Sequence, residues 1–260
     1  MFAERSLAGD LADLREAVAP DALVFDCERD FETLDPAVAE DLGLLVDALD
    51  PVSYPTEWLP PDAPDALVRY ASDAFTVGMP GDGGVAWTRQ TDPPVVLVKP
   101  RLAGSPDAFV DFLLAEALLT VDLGVPEHFL GFFEDDYREL ADAVPLDPAG
   151  TYQLAAALYA AWVGRQTRPR FADWDGEYPA LHAAWVDAGE RLEPRLSGLS
   201  REVARGETAF PAAAELACSA VKHDVEIPAP FAALDVAASD EYGAEYAVRW
   251  AAKTFEKLRD

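Results

Sequence analysis

The chain has 260 residues, and its 48 Asp and Glu outweigh 20 Lys and Arg, giving a formal net charge of -28. So acidic a chain lacks the basic footprint that a phosphate backbone requires, which excludes nucleic acid as an expected partner. Half of the residues are hydrophobic and 10% are aromatic. The acidity therefore coats a folded body and does not signal disorder.

Such a coat repels itself in dilute solution. It is tolerable where salt is concentrated, because the Debye length falls to about 3 Å at molar ionic strength. Only four cations are lysines (Lys99, Lys222, Lys253 and Lys257), so few long apolar stems are left on the surface. A halophilic, cytoplasmic setting is expected. The two cysteines, Cys27 and Cys218, have no CxxC neighbour and read as buried thiols. No basic segment precedes an apolar run at the start, so no signal peptide is expected. The most apolar stretch, Tyr152 to Gly164, is too short to cross a bilayer. The charge is uneven. Residues 1–150 carry 31 acids and 8 bases, residues 151–260 carry 17 and 12, and Arg165 to Arg205 balances seven against seven.

In chain order, Leu7, Leu11, Leu14 and Val18 recur at helical spacing, which predicts an amphipathic helix from about Ala3. Ala22 to Phe25 predicts a strand. Asp35-Pro36 places a cap ahead of a proline in the first turn of a helix expected to reach about Leu49. Tyr54 to Pro64, with four prolines, predicts an ordered loop around Trp58. A short helix over Asp65 to Ser72 follows. Phe75, Val77 and Met79 alternate, a Pro80 to Gly84 turn comes next, and Val85 to Arg89 returns, which predicts a hairpin. The run Val95 to Val98 has no polar face and predicts an inner strand covered on both sides.

From Ser105 the pattern is helical. Ser105 is the expected cap of a core helix over Phe109 to Val121 ending at Gly124. A helix from Pro126, an Ala-rich helix over Tyr152 to Arg165, and helices over Tyr178 to Leu196, Ala212 to Val221 and from about Asp240 complete the chain. The predicted fold is α+β and predominantly helical. A small antiparallel or mixed sheet, with strands near 22–26, 74–79, 85–90 and 94–99, packs on a helical C-terminal majority. One domain over 1–260 is expected, with a mixed part (1–102) and an all-helical part (103–260).

The motifs are weighed by what each chemistry requires. Gly78-x-x-Gly81-x-Gly83-Gly84 is followed by a strand, whereas a dinucleotide fingerprint needs a helix there. A glycine turn, the strand Val96-Leu97-Val98-Lys99 and Glu116 on the next helix match the order of a kinase N-terminal region. No His-Arg-Asp or Asp-Phe-Gly segment follows to supply a base or a magnesium ligand. Ala115 to Leu119 resembles a zincin helix with apolar residues where both histidines would stand, so zinc chemistry is excluded by ligand count. His128 stands beside Glu127 at a helix start, where capping or packing competes with a role as ligand or base. Arg165, Arg168 and Arg170 near a helix end, with Arg191 and Arg195 at i,i+4 spacing, fit pairing with the protein's own carboxylates or an anionic partner. Glu134, Asp135 and Asp136 point in different directions on a helix and do not converge on one metal. No metal or cofactor is expected.

Pro93-Pro94-Val95-Val96-Leu97-Val98-Lys99-Pro100 and Pro126-Glu127-His128-Phe129-Leu130-Gly131-Phe132-Phe133, with the acid-rich composition, resemble an uncharacterised family of haloarchaeal proteins. The resemblance spans most of the chain and implies no activity and no site residues. Two readings follow. The first is a non-catalytic binding protein for a small molecule or a protein partner, with aromatics around Trp58 and Trp174, or the arginine-bearing half, as its surface. The second is an enzyme, a degenerate zincin-like hydrolase or a divergent phosphotransferase, with a pocket near Lys99, Glu116 and His128 and with Glu127 as a further candidate.

Overall fold

In the computed structural model, which describes residues 2–259, the chain forms two compact units. One comprises residues up to Tyr54 with Asp65–Glu127 and Asp173–Trp185, and the other Pro55–Pro64, His128–Ala172 and Val186 onward. The fold is α+β and predominantly helical, as expected.

The first unit is built in the order β1 (Phe2–Glu4), α1 (Gly9–Val18), β2 (Leu23–Cys27), α2 (Pro36–Gly43), β3 (Ala48–Leu49), α3 (Asp65–Ala71), β4 (Val85–Thr88), β5 (Thr91–Asp92), β6 (Val95–Val98) and α4 (Asp107–Leu123). The main sheet has the order β1-β2-β6-β4. β2 and β6 run parallel, with Val24 opposite Val96 and Asp26 opposite Val98, while β1 and β4 flank them antiparallel. β3 and β5 form a separate two-stranded pair.

All four residues of β6 are buried because both faces of the strand are covered. Side chains alternate across a strand, so Val95 and Leu97 join Phe25, Cys27 and Ala86 on one face. That face packs on Ala39 and Leu42 of α2 and on Val77. α4 packs against β4, β6 and α1. Lys99 continues the inward row of Val95 and Leu97.

Several local expectations are corrected. The segment 74–79 forms no ladder, because its carbonyls are used elsewhere: Val77 O accepts from Leu34 N and Thr76 O from Gln90 Nε2. The first three described residues are strand, not helix, and α2 stops at Gly43, leaving Ala48–Leu49 to pair with β5. Asp35 does cap α2, accepting from Ala37 N at 3.0 Å. Ser105 does not cap α4; Pro106 takes that place without a side-chain bond. Gly124 ends α4 in the left-handed region at φ 66°.

The second unit contains α5 (Phe129–Phe133), α6 (Asp136–Ala143), α7 (Pro148–Ala172), the later turns of α8 (Pro179–Leu196), α9 (Leu199–Ala204), α10 (Phe210–Ser219) and α11 (Ala237–Arg259). Glu134 has φ 51° and breaks the chain between α5 and α6. The three acids 134–136 therefore straddle a break and do not share one helix. α7 packs closely on α10, whose Ala213, Ala214 and Ala217 are fully buried small residues. Phe210 meets Phe231, Trp250 and Phe255 at ring-centroid distances of 5.3, 6.1 and 4.8 Å. α11 bends at Gly243, which has φ 47° and ψ -120°.

Candidate functional site

Chemistry-bearing side chains of the first unit collect at the carboxyl ends of the parallel pair β2 and β6. Ligands bind there in open sheets with parallel strands, because the strand ends leave a crevice that loops can line. Three segments converge: residues 28–34 after β2, the glycine turn 78–84 before β4, and residues 99–102 after β6. Arg101 ties two of them together. Its Nε donates to Asp30 Oδ1 and Oδ2 at 2.8 and 3.0 Å, and its Nη2 donates to Phe31 O at 3.0 Å and Glu32 Oε1 at 2.8 Å. This pairing holds the Asp30 carboxyl below its ordinary range. Gly81 N donates to Glu32 Oε2 at 3.3 Å, which joins the third segment.

Gly78 explains how closely these segments meet. Its φ is +76°, and a Cβ there would lie 2.6 Å from Glu32 O and 2.9 Å from the Phe31 ring. Only glycine combines the left-handed backbone with that approach.

Lys99 lies beneath this junction. It is 1% exposed, among the described residues its Nζ has no hydrogen-bond partner, and the ammonium sits 4.6 Å from the centroid of the Phe31 ring. Burial pulls its pKa below the ordinary lysine value; Arg101 adds to that pull, while Asp82, Glu32 and Asp30 oppose it. Those carboxylates are already engaged: Asp30 and Glu32 by Arg101, and Asp82 by Met79 N at 2.6 Å. Desolvation lifts Asp82 to about 6. Desolvation also lifts the Cys27 thiol to about 12, with Asp26 adding to the rise, so the thiol is inert at neutral pH.

A pocket of about 240 Å³ opens beside the cluster, lined among others by Phe2, Cys27, Arg29, Phe31, Thr33 and Val38. Its apolar wall of Phe2, Cys27, Phe31, Leu34 and Val38 is interrupted by four polar residues, Arg29, Asp30, Thr33 and Asp35. Phe31 belongs to both pocket and cluster. A second pocket, of about 370 Å³, is lined by Arg5, Ser6, Gly104, Ser105, Asp107 and Asp111 among others. Its Arg5 is paired with Asp26 at 2.9 Å. The Asp111 carboxyl is pushed up by desolvation and by Asp107.

The other residues singled out from sequence occupy different settings. Glu116 is half-buried on α4, and among the described residues the ammonium of Lys99 makes no hydrogen bond to it or to any other group. Glu127 is a hub: Thr88 Oγ1 and Arg89 N donate to its Oε2, each at 3.0 Å, and Gln90 Nε2 donates to its Oε1 at 2.8 Å. Desolvation nevertheless raises it to about 7. Gln90 extends the network to Thr76 O and, through its own carbonyl, to Val52 N.

His128 caps α5. Its Nδ1 accepts from Leu130 N at 3.2 Å, and the ring lies 4.0 Å from that of Phe129. Burial lowers its pKa to about 3, so it is neutral and an acceptor at physiological pH. Arg165 bonds Asp240 and Asp235, and Arg168 bonds Asp235 at 2.8 Å and Asp224 at 3.1 Å. Arg170 is half-buried, Arg191 pairs with Asp187 at 2.8 Å, and Arg195 is exposed. Trp174, expected at the surface, is 3% exposed and packs edge-on against Tyr178. Trp58 is half-buried.

Sequence reasoning singled out Lys99 but missed Phe31, Asp30, Glu32, Asp82 and Arg101. A signal for them existed. Two apolar strands, each followed by charged residues, mark a shared carboxyl-end crevice once they are recognised as parallel neighbours. Among the described residues, no group of three or more His, Cys, Asp or Glu is arranged to hold a metal ion. Among them, too, no helix is long and apolar enough to cross a membrane.

The model described as "Family of unknown function (DUF7089)" matches residues 1–258. The chain belongs to that family. No curated protein and no solved structure matches it. The family carries no activity to transfer, so the functional reading rests on the site.

Proposed function

We propose that this DUF7089 member is a halophilic, cytoplasmic, non-catalytic protein that binds a small, largely apolar molecule at the carboxyl ends of β2 and β6. The observation that carries this reading is the pocket of about 240 Å³ walled by Phe2, Cys27, Phe31, Leu34 and Val38, with Arg29, Asp30, Thr33 and Asp35 as its polar residues. Apolar walls with a few convergent polar groups are the usual composition of small-molecule sites. The thiol of Cys27 is inert, and the lining carboxylates Asp30 and Asp35 accept from Arg101 and from Ala37 N, which favours binding over turnover.

Ligand-observed NMR with benzyl alcohol as probe, in molar KCl, tests the pocket. Saturation transfer to the probe is expected in the native protein. It should be lost in Val38→Trp, whose indole fills the cavity from α2. No transfer, or transfer equal in both proteins, overturns the assignment. The halophilic part has its own measurement, since the acid coat predicts a melting temperature that rises from dilute buffer to molar KCl. Equal melting temperatures in the two conditions would sink it.

A further inference from the structure

The most unusual group in the first unit is the ammonium of Lys99. A buried lysine ordinarily ends on a carboxylate or a carbonyl, because an unpaired buried charge is costly. Here the nearby carboxylates are committed elsewhere. Arg101 holds Asp30 and Glu32, and Met79 N holds Asp82. What remains for Nζ is the face of Phe31, 4.6 Å away. A cation–π contact compensates only part of the lost hydration. Phe31 in turn lines the apolar pocket and sits on the loop after β2, where residues 28–30 are exposed. The aromatic ring therefore borders both the pocket and the concealed amine.

We infer that Lys99 is a carbonyl-reactive amine gated by Phe31, and that the pocket takes a small apolar aldehyde or ketone which Lys99 captures as an imine. This rests on the pocket reading given above and adds the ligand class to it. In the capture, the Nζ lone pair forms a bond to the carbonyl carbon. The carbon–oxygen bond then breaks, and the oxygen leaves as water with the two protons that Nζ gives up, leaving a C=N bond. No oxidant or reductant is consumed, and the step reverses by hydrolysis. Removal from water favours the uncharged amine that this attack requires. The chemistry needs no metal and no second nucleophile.

The test is reductive trapping on the full chain in molar KCl at pH 7. Benzaldehyde is the probe, and sodium cyanoborohydride delivers hydride to any imine, fixing it as a secondary amine that peptide mapping locates. Lys99 should be labelled faster than the exposed Lys253 and Lys257, since an amine withdrawn from water holds more of its population in the free, reactive form. Phe31→Ala should raise the Lys99 rate further, and Lys99→Arg should abolish the selective adduct while leaving surface labelling unchanged. Labelling of Lys99 no faster than the surface lysines, or a Phe31→Ala rate equal to the native one, overturns the inference. Benzyl alcohol, which cannot form an imine, separates the two claims. If it binds while benzaldehyde leaves Lys99 unlabelled, the pocket stands and the amine chemistry falls. If neither binds nor reacts, both fall.

Discussion

The two units have 130 residues each and handle their charge differently. The first holds 26 acids against 7 bases, the second 22 against 13. In the second unit the arginines act as cross-links: Arg165 and Arg168 share Asp235 and reach Asp240 and Asp224, stitching α7 to the segments around α11. In the first unit cations are scarce. Arg101 ties the loops after β2 and β6 together, Arg89 donates to Val125 O beside the Glu127 network, and among the described residues Lys99 Nζ has no hydrogen-bond partner. Against an excess of acid, a cation that ends without a carboxylate is more informative than any cluster of charges, and that contrast can be broken at particular residues.

The largest effect is expected at Glu127. Replacing it with Ala would strand the hydroxyl of Thr88 and the amide of Arg89 and would leave the side-chain amide of Gln90 with Thr76 O but without its second acceptor; Thr88 and Gln90 are buried. Each unsatisfied buried donor costs about 1–3 kcal/mol, so chemical denaturation should report a loss of about 3–5 kcal/mol. Glu127→Gln keeps one oxygen and should recover part of it. The variant also isolates a pH effect. Glu127 titrates at about 7 in the folded protein against an ordinary value of 4.5. A raised carboxyl pKa contributes stability that is complete below the unfolded value and is lost as pH rises through the folded one. The native protein should therefore lose stability relative to Glu127→Gln between about pH 4.5 and 7. Parallel pH profiles would show that the carboxyl is not desolvated.

Gly78→Ala comes next. A methyl group at φ +76° would strike Glu32 O and the Phe31 ring. Strain and collision together predict a loss of about 2–4 kcal/mol, with the 28–34 loop displaced from Lys99. A variant as stable as the native protein would mean that this loop has room to yield.

Much of the first unit was legible from residue pattern, and its limits have physical causes. The uniform apolar run Val95 to Val98 marked a strand covered on both faces, because no water-facing residue interrupts it. Asp35-Pro36 marked a helix start, because its cap is local. The alternation of Phe75, Val77 and Met79 misled because a strand needs a partner as well as a period; Val77 O is taken by Leu34 N, far away in sequence. β1 was hidden because three residues carry too little periodicity to outweigh a neighbouring helix. For the site, Lys99 was visible as a residue ending a strand. The engagement of Asp30 and Glu32 by Arg101, which leaves the Lys99 ammonium without them, arises from contacts 71 and 69 residues apart in the chain. No local spacing encodes that.

In the second unit the equivalent break is Asp235→Ala. It removes one partner each from Arg165 and Arg168, whose side chains are 12% and 21% exposed. Asp240 and Asp224 remain to hold the guanidiniums, so the expected loss is about 1–3 kcal/mol, not the larger cost of a fully orphaned buried charge. Lys99→Met should be milder, within about 1.5 kcal/mol in either direction. Methionine fills the space of the stem and removes the unpaired ammonium, at the loss of its attraction to Asp82, Glu32 and Asp30. A loss of 3 kcal/mol or more, on the scale of a broken buried ion pair, would mean that the ammonium is bound within the folded protein, contrary to its isolation.

The smallest effect is reserved for the pair Arg191–Asp187. At 2.8 Å it is as short as Arg168–Asp235, yet its side chains are 67% and 55% exposed. Exposed i,i+4 pairs contribute about 0.3–0.5 kcal/mol and are screened by salt. Arg191→Ala should therefore cost no more than that in dilute buffer and nothing measurable in molar KCl, whereas Asp235→Ala should keep most of its cost in salt. Distance alone would rank the two pairs equally; burial is what separates them. If Arg191→Ala proved as costly as Asp235→Ala and as resistant to salt, the difference drawn between cross-linking and solvated arginines would not hold.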